Sequence, residues 1–232
     1  KSFVLPIIND TATNEVNEAV RFTLVNPNGV GIGVSNSAAV FIIDNDSPSS
    51  LDFQFRSGVG FNDTVFTAVQ QTNGQIILGG RFTHYLTNNS GTASVSRPYL
   101  ARLDADGSLD ATFNAGVGPD GPVRSVALMN DGRLVIGGTF NLVGASMRRG
   151  VARLLPNGAI DQTFVPGTGA AGSVVTVAVQ PDNRVLVGGF FQMFSSQQRS
   201  GIVRLTTSGS LDFTFNQGAG ASGVVNVIKV YG

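Results

Sequence analysis

The 232-residue sequence has no cysteine and no tryptophan, a single histidine, and only two glutamates. Without cysteine there is no disulfide framework, thiolate zinc site or thiol nucleophile. One histidine excludes a histidine metal cluster and leaves little material for acid/base chemistry. Charge of either sign is sparse and cancels, with 15 basic against 15 acidic side chains. This balance removes the basic face that nucleic acid or an acidic membrane surface demands, so no nucleic-acid partner is expected. No apolar run approaches the ~20 residues needed to cross a bilayer, so no membrane insertion is expected within this chain. The first residues lack the basic, apolar and small-residue pattern of a signal peptide, so any export signal is expected outside it.

What the sequence does have is glycine, 30 residues of it, with abundant Val, Thr, Phe and Ser and an apolar fraction of 42%. This composition favours short strands joined by tight turns around a real core, and we read the chain as all-β. The few charges are segregated. Residues 1–48 hold Lys1 and Arg21 against Asp10, Glu15, Glu18, Asp44 and Asp46, a net −3, so the remainder carries +3.

A repeat occupies residues 51–232. It starts at LDFQF (51), LDATF (109), IDQTF (160) and LDFTF (211), giving units 51–108, 109–159 and 160–210 and a partial unit 211–232. Val65, Val123, Val174 and Val225 align, as do the pairs Gly79-Gly80, Gly137-Gly138 and Gly188-Gly189. Arg97, Arg148 and Arg199 recur, as do Arg102, Arg153 and Arg204. The first unit carries its extra residues in HYLTNNSGTASVS, which reads as a polar loop that tolerates insertion. The third unit parses as strand VVTVAVQ, turn PDN, strand RVLVGGFF, loop FSSQQRS, strand GIVRLTT, turn SGS and strand LDFTF. Four short antiparallel strands in about fifty residues are the signature of propeller blades. The paired glycines then let strands or blades approach where a Cβ would collide. A phosphate cradle is excluded because no helix follows the pair. Three units and a fragment that stops after one inner strand do not close a ring of four to eight blades, so the chain is expected to be part of something longer.

The repeat pattern resembles the delta-60 repeat family, β-propeller repeats of large bacterial surface and secreted proteins. Kelch repeats also carry a double glycine, but their blades add a downstream Tyr and Trp, and Trp is absent here.

Residues 1–46 do not fit the repeat. KSFVLPIIND, EAVRFTLVNP and NSAAVFIIDND each read as a strand, and DNDSPSS supplies a linker at 47–50. Their order resembles the C-terminal half of a Calx-beta domain, an immunoglobulin-like β-sandwich of extracellular and adhesion proteins. In the calcium-binding members of that family the ligands would fall, in this sequence, on Asp10, Glu15, Glu18, Asp44 and Asp46. Loops at one end of a sandwich can gather the six to eight hard oxygens that calcium needs. The same acids equally serve as solvated loop residues, and both readings stand at this point.

No catalytic set emerges. His84 lies beside Tyr85 in the first unit's insertion and reads as a surface side chain. The recurring Asp52, Asp110, Asp161 and Asp212 could suggest catalytic carboxylates. However, three of them follow Arg102, Arg153 and Arg204 by eight residues across a tight turn, so a repeated cross-strand ion pair is the economical account. Asp63, Asp120, Asp131 and Asp182 read as turn caps. The triplets at Asn9, Asn62 and Asn88 fit the N-glycosylation pattern. The sequence therefore points away from an enzyme and toward a structural or adhesive module of a large extracellular or cell-surface protein of bacterial type. It would be self-assembling or bound to other surface proteins or glycans, and calcium-stiffened at its sandwich. The alternative is a propeller that binds carbohydrate or protein through its variable loops.

Overall fold

The computed structural model describes residues 18–23, 37–42, 55, 60–88, 92–113, 118–215 and 218–231. The chain divides into two compact units, Lys1–Phe53 and Gln54–Gly232. All regular structure among the described residues is β, and all of it is antiparallel.

In the first unit, β1 (Glu18–Thr23) pairs with β2 (Ser37–Ile42), in a register running from Glu18 opposite Ile42 to Thr23 opposite Ser37. Both lie within segments that alternation marks as strands. The strand expected at KSFVLPIIND is outside the described residues.

The second unit repeats one sheet three times. In the first copy, β3 (Gly60–Phe61) belongs to a small outer sheet and β4 (Val65–Gln70) begins the main one. β5 (Ile76–Gly80) is the central strand, β6 (His84–Leu86) and β7 (Ser94–Ser96) form an outer hairpin, and β8 (Leu100–Leu103) completes the order β4-β5-β8. The second copy has β9 (Val123–Leu128), β10 (Leu134–Gly138), the short hairpin β11 (Leu142–Val143) and β12 (Ser146–Met147), and β13 (Val151–Leu154). The third has β14 (Ala170–Val179), β15 (Val185–Phe194), β16 (Gln197–Gln198) and β17 (Ile202–Leu205). In each copy the strand carrying the glycine pair is central, with the preceding and following strands on its two sides.

The glycine pair does two separate jobs. A Cβ on the first glycine would strike the next repeat, 2.7 Å from Val123 Cγ1 at Gly79, from Val177 Cγ1 at Gly137 and from Val225 Cγ1 at Gly188, and at Gly79 and Gly188 it would also meet the paired Thr67 and Thr176 methyls at 2.9 and 2.8 Å. A Cβ on the second would instead strike its own sheet, at the carbonyl oxygens of Thr64, Pro122 and Ser173 for Gly80, Gly138 and Gly189. There the ladder slips by one residue, a β-bulge that brings the neighbouring backbone close. Sheets therefore stack with valine methyls seated on bare backbone. The resulting core is continuous across sheets: Ile77, Leu100 and Phe113 join Val123, Leu134 and Ile136, and Val135 and Val151 join Val174, Val187 and Phe194.

Three expectations need correcting. The four-stranded parse took LDFTF as a fourth strand, but each copy bridges the sheet at one residue only, Leu103 to Leu109, Leu154 to Ile160 and Leu205 to Leu211. The chain then turns away, because the Asp that follows takes the amide N–H of the Thr two residues on (Asp110 to Thr112, Asp161 to Thr163, Asp212 to Thr214), which closes an Asx turn. The main sheet is thus three-stranded; in the third copy β16 adds to the far end of β15 rather than at LDFTF. The polar insertion 84–96 is also more than a loop, since β6 and β7 pair there and Tyr85 is buried against Phe61, with ring centroids 5.3 Å apart. Finally, the inner strand expected after Val225 is present as chain but not as a paired strand.

One position resists the repeat's own rule. Gly150 and Gly201 adopt φ of 76° and 73°, and the aligned residue of the first copy is Tyr99, which takes φ of 65°. A tyrosine there bears a left-handed backbone that glycine adopts freely.

The two glycine jobs predict different penalties. Gly137→Ala pushes on valine side chains that can shift, and should cost about 1–3 kcal/mol of unfolding free energy in urea. Gly138→Ala pushes on a carbonyl that cannot, and should move the urea midpoint further; equal midpoints would contradict the assignment.

Candidate functional site

Among the described residues the most elaborate side-chain assembly is a cation clamp at the end of each main sheet. It is built on the third strand, which carries the arginine, and on the Asx turn, which carries Asp, Thr and Phe. Arg102 Nε donates to Asp110 Oδ2 at 2.7 Å, and Arg153 and Arg204 do the same to Asp161 and Asp212 at 2.8 Å. Each guanidinium also lies over a phenyl ring: Arg102 over Phe113 at 4.7 Å, Arg153 over Phe164 at 4.8 Å, and Arg204 over Phe215 at 5.1 Å. Arg153 and Arg204 add bonds from Nη2 to the hydroxyls of Thr163 and Thr214.

The clamp also reaches the next sheet, which spacing within a single unit does not reveal. Arg102 Nη1 donates to the carbonyl of Pro156 at 2.7 Å, and Arg153 Nη1 to that of Thr207 at 2.6 Å. Both acceptors begin the turn after the next copy's third strand. A second cation approaches the same Asp from the residue just before the strand with the glycine pair: Arg133 contacts Asp161 at 3.2 Å and Arg184 contacts Asp212 at 3.3 Å, while in the first copy Gln75 Nε2 takes that place at Asp110, 3.4 Å away.

Burial pushes the Asp161 carboxyl up, but the hydroxyl and amide of Thr163 and the Arg153 guanidinium outweigh it and hold the group well below its ordinary value of 3.8. Asp110 is lowered by the same set of donors against burial. For Asp212 the Thr214 hydroxyl leads and the shift is again downward. These carboxylates are acceptor-saturated anions, a state suited to holding an arginine and unsuited to delivering or removing protons.

The other sequence candidates scatter. His84 is half-buried in β6, with Nδ1 2.9 Å from Thr83 Oγ1, so it is a strand residue rather than a free loop side chain. Asp131 and Asp182 cap their turns by accepting the amides of Arg133 and Arg184, as expected. Asp120 caps across a longer distance, accepting the amides of Asn141 and Leu142 at the base of the β11–β12 hairpin. Asn62 does the same for Thr83 and His84, so the side chain of that glycosylation triplet already holds a hairpin base. Asp63 pairs with Arg81, which holds its carboxyl down at about 2. Asp52 lies outside the described residues.

Of the proposed calcium ligands, Asp10, Glu15, Asp44 and Asp46 lie outside the described residues. Glu18 begins β1 opposite Ile42, and the chain reaches Asp44 two residues after that partner. Among the described residues no three His, Cys, Asp or Glu side chains cluster as a metal site. A shallow pocket of about 250 Å³ lies at the ends of β9 and β14, lined by Leu128, Asn130, Val179, Gln180, Pro181, Asn183 and Val230. It holds no ionisable side chain, and it is smaller than the ~300–1,000 Å³ of typical small-molecule sites.

Residues 71–113, 130–164 and 180–215 each match the family model described as "Domain of unknown function (DUF5122) beta-propeller". Each matched stretch ends on the phenylalanine beneath the arginine, Phe113, Phe164 or Phe215. This part of the chain is therefore a region of β-propeller-type repeats, and its three sheets are blades. No curated protein matches the chain.

Removing one partner of the most buried clamp leaves the other charge uncompensated. Asp161→Ala should therefore destabilise by about 3–5 kcal/mol, read as a fall in melting temperature. The pH dependence has a definite sign. Because the folded carboxyls are depressed, their contribution is complete above the unfolded value near 4 and is lost as pH falls through the lower folded values. Urea midpoints should fall between about pH 4 and pH 2 in the native protein, and less steeply in Asp161→Asn. An identical acid slope in that variant would refute the role given to Asp161.

Proposed function

We propose that this chain is a structural and adhesive module of a large extracellular or cell-surface protein of bacterial type, one that spaces, displays or self-assembles rather than catalyses. The observation that carries the reading is the use of the recurring charges. Arg102, Arg153 and Arg204 with Asp110, Asp161 and Asp212 are all engaged inside the framework, and Arg102 and Arg153 also stitch one blade to the next. What differs from blade to blade is the hairpin tip: HYL with SVS in the first, LV with SM in the second, and the long β15 end with QQ in the third. A rigid frame bearing variable tips suits display better than turnover.

In this reading the repeats are of the delta-60 kind and residues 1–46 are part of a Calx-beta-like sandwich. Asp10, Glu15, Glu18, Asp44 and Asp46 supply the hard oxygens that calcium favours, and the ion would stiffen the loops that carry them. The competing reading, a propeller that recognises carbohydrate or protein through its tips, is favoured by the exposed apolar side chains of the third blade and its turn, Phe190, Met193 and Phe213.

Two measurements separate these ideas. Calcium should raise the melting temperature of a protein carrying the complete sandwich, and the pair Asp44→Asn and Asp46→Asn should abolish the rise; a melt indifferent to chelator removes calcium from the account. On a glycan array the structural reading expects no saturable binding. Binding that disappears when residues 84–96 are shortened would replace it with the tip-recognition reading.

A further inference from the structure

Three recurring arginines outside the clamps follow the outer hairpins, and the third is held differently from the other two. Arg97 Nη1 donates to the carbonyl of Ser96 at 2.8 Å, and Arg148 Nη1 to that of Met147 at 2.7 Å. Their Nη2 groups reach the middle residue of the next Asx turn: Arg97 donates to the Ala111 carbonyl at 3.3 Å, and Arg148 to Gln162 Oε1 at 3.1 Å. The Nε of each is enclosed, and Arg148 as a whole is only 8% exposed. These two guanidiniums belong to the frame.

In the third blade the second bond is not made. Phe213 stands where Ala111 and Gln162 stand, with its ring 5.7 Å from the Arg199 guanidinium. Arg199 keeps the bond from Nη1 to the preceding carbonyl, that of Gln198, at 3.0 Å. Among the described residues its Nε and Nη2 meet no acceptor, and no carboxylate pairs with it. A guanidinium held over a ring is fixed in place while its N–H fork stays open at the edge.

Exposure here belongs to the position and not to the end of the repeats. Ala111 and Gln162 are exposed with a blade following them, and so are Arg81 and Thr139, which align with Phe190. In the first blade that second position is neutralised, since Arg81 pairs with Asp63. In the third blade both positions are aromatic, with Phe213 69% and Phe190 64% exposed. Phe190 precedes Gln192 by two residues on β15, and the Gln192 carbonyl accepts the amide of Arg199, so strand alternation sets Phe190 on the face that Arg199 shares.

We propose that Arg199 and Phe213, flanked by Phe190, form a docking site for a peptide segment of a partner protein that carries a carboxylate between apolar side chains. The carboxylate follows from charge: Arg199 is a cation without a counter-charge, and its fork matches two carboxylate oxygens. The apolar flanks and the protein source follow from the surroundings. Aromatic residues, Met and Arg are the side chains enriched at protein interfaces, and Met193 at the end of β15 adds a further exposed one. This deepens the adhesive part of the reading above by naming the chemistry of what is held, and its failure would leave the spacing role and the calcium test as they are.

The test uses the 232-residue protein and a blocked tripeptide with glutamate between two leucines, followed by the Arg199 Nε–H signal in nitrogen-edited NMR spectra. A saturable shift is expected, weaker in high salt and weaker by about tenfold or more when the glutamate is replaced by glutamine. Phe213→Gln rebuilds the acceptor that Gln162 offers Arg148, so it should draw Nη2 back into the frame and weaken binding about tenfold without lowering the melting temperature. The proposal is overturned if a cooperatively melting protein shows no shift, if the glutamate and glutamine peptides bind alike, or if Phe213→Gln binds as the native protein does. It is equally overturned if an oligomer of glucuronic acid moves the signal at lower concentration than the peptide, which would make the ligand a sugar acid.

Discussion

The close seating of valine methyls on glycine backbone governs this architecture. Val123 on Gly79, Val177 and Val174 on Gly137, and Val225 with Ile228 on Gly188 bring consecutive sheets nearer than any side chain at those glycines would permit. A single methyl would have to be accommodated by moving a whole sheet, because protein interiors are close-packed and have no slack to absorb it. The bulge at the second glycine carries its extra residue, Phe66, Arg124 or Val175, on the first strand, which bends so that its carbonyl lies against the glycine. Once sheet spacing is set in this way, the valine-rich strands bury on both faces and the core runs on from one blade to the next.

The arginine clamp works on that spacing rather than creating it. Each guanidinium has one carboxylate, one ring face and, in the first two copies, one carbonyl of the following blade within reach. A planar, permanently charged fork can serve all three at once, which a lysine could not. A buried ion pair adds little net stability by itself, but it penalises any misaligned stacking that would leave a charge unpaired. That selectivity suits a chain of similar blades, where stacking out of register is the obvious error. The lone pairs of the recurrent acids are likewise taken by arginine and threonine.

Much of this could be read from the residues. The period, the bent glycine pair and the eight-residue spacing of arginine and aspartate pointed to stacked antiparallel sheets with a cross-strand ion pair, and the geometry agrees at Arg102, Arg153 and Arg204. In LDFTF the alternating Leu, Phe and Phe look like a strand face, but the structure makes it a turn. The deciding contact is local and polar: Asp212 bonding Thr214 turns the chain after a single bridge, and the apparent strand residue Phe215 becomes the floor under Arg204. The insertion at 84–96 differs from its sequence pattern for the opposite reason. Its polar composition suggested solvent, but Tyr85 finds Phe61, an aromatic partner from a part of the chain more than twenty residues away.

By itself the sequence determined the all-β class, the repeat period, the places where no Cβ is allowed, and the pairing of charges close enough to meet across one turn. These are properties of composition, periodicity and short separations, and they do not depend on how blades are arranged. Only the tertiary structure decided that Arg102 and Arg153 also grip the turn of the following blade, that the two glycines answer to different neighbours, and that Val225 seats on Gly188 as Val123 seats on Gly79. Those contacts join residues about fifty positions apart, and such pairs exist only after two sheets have been brought face to face.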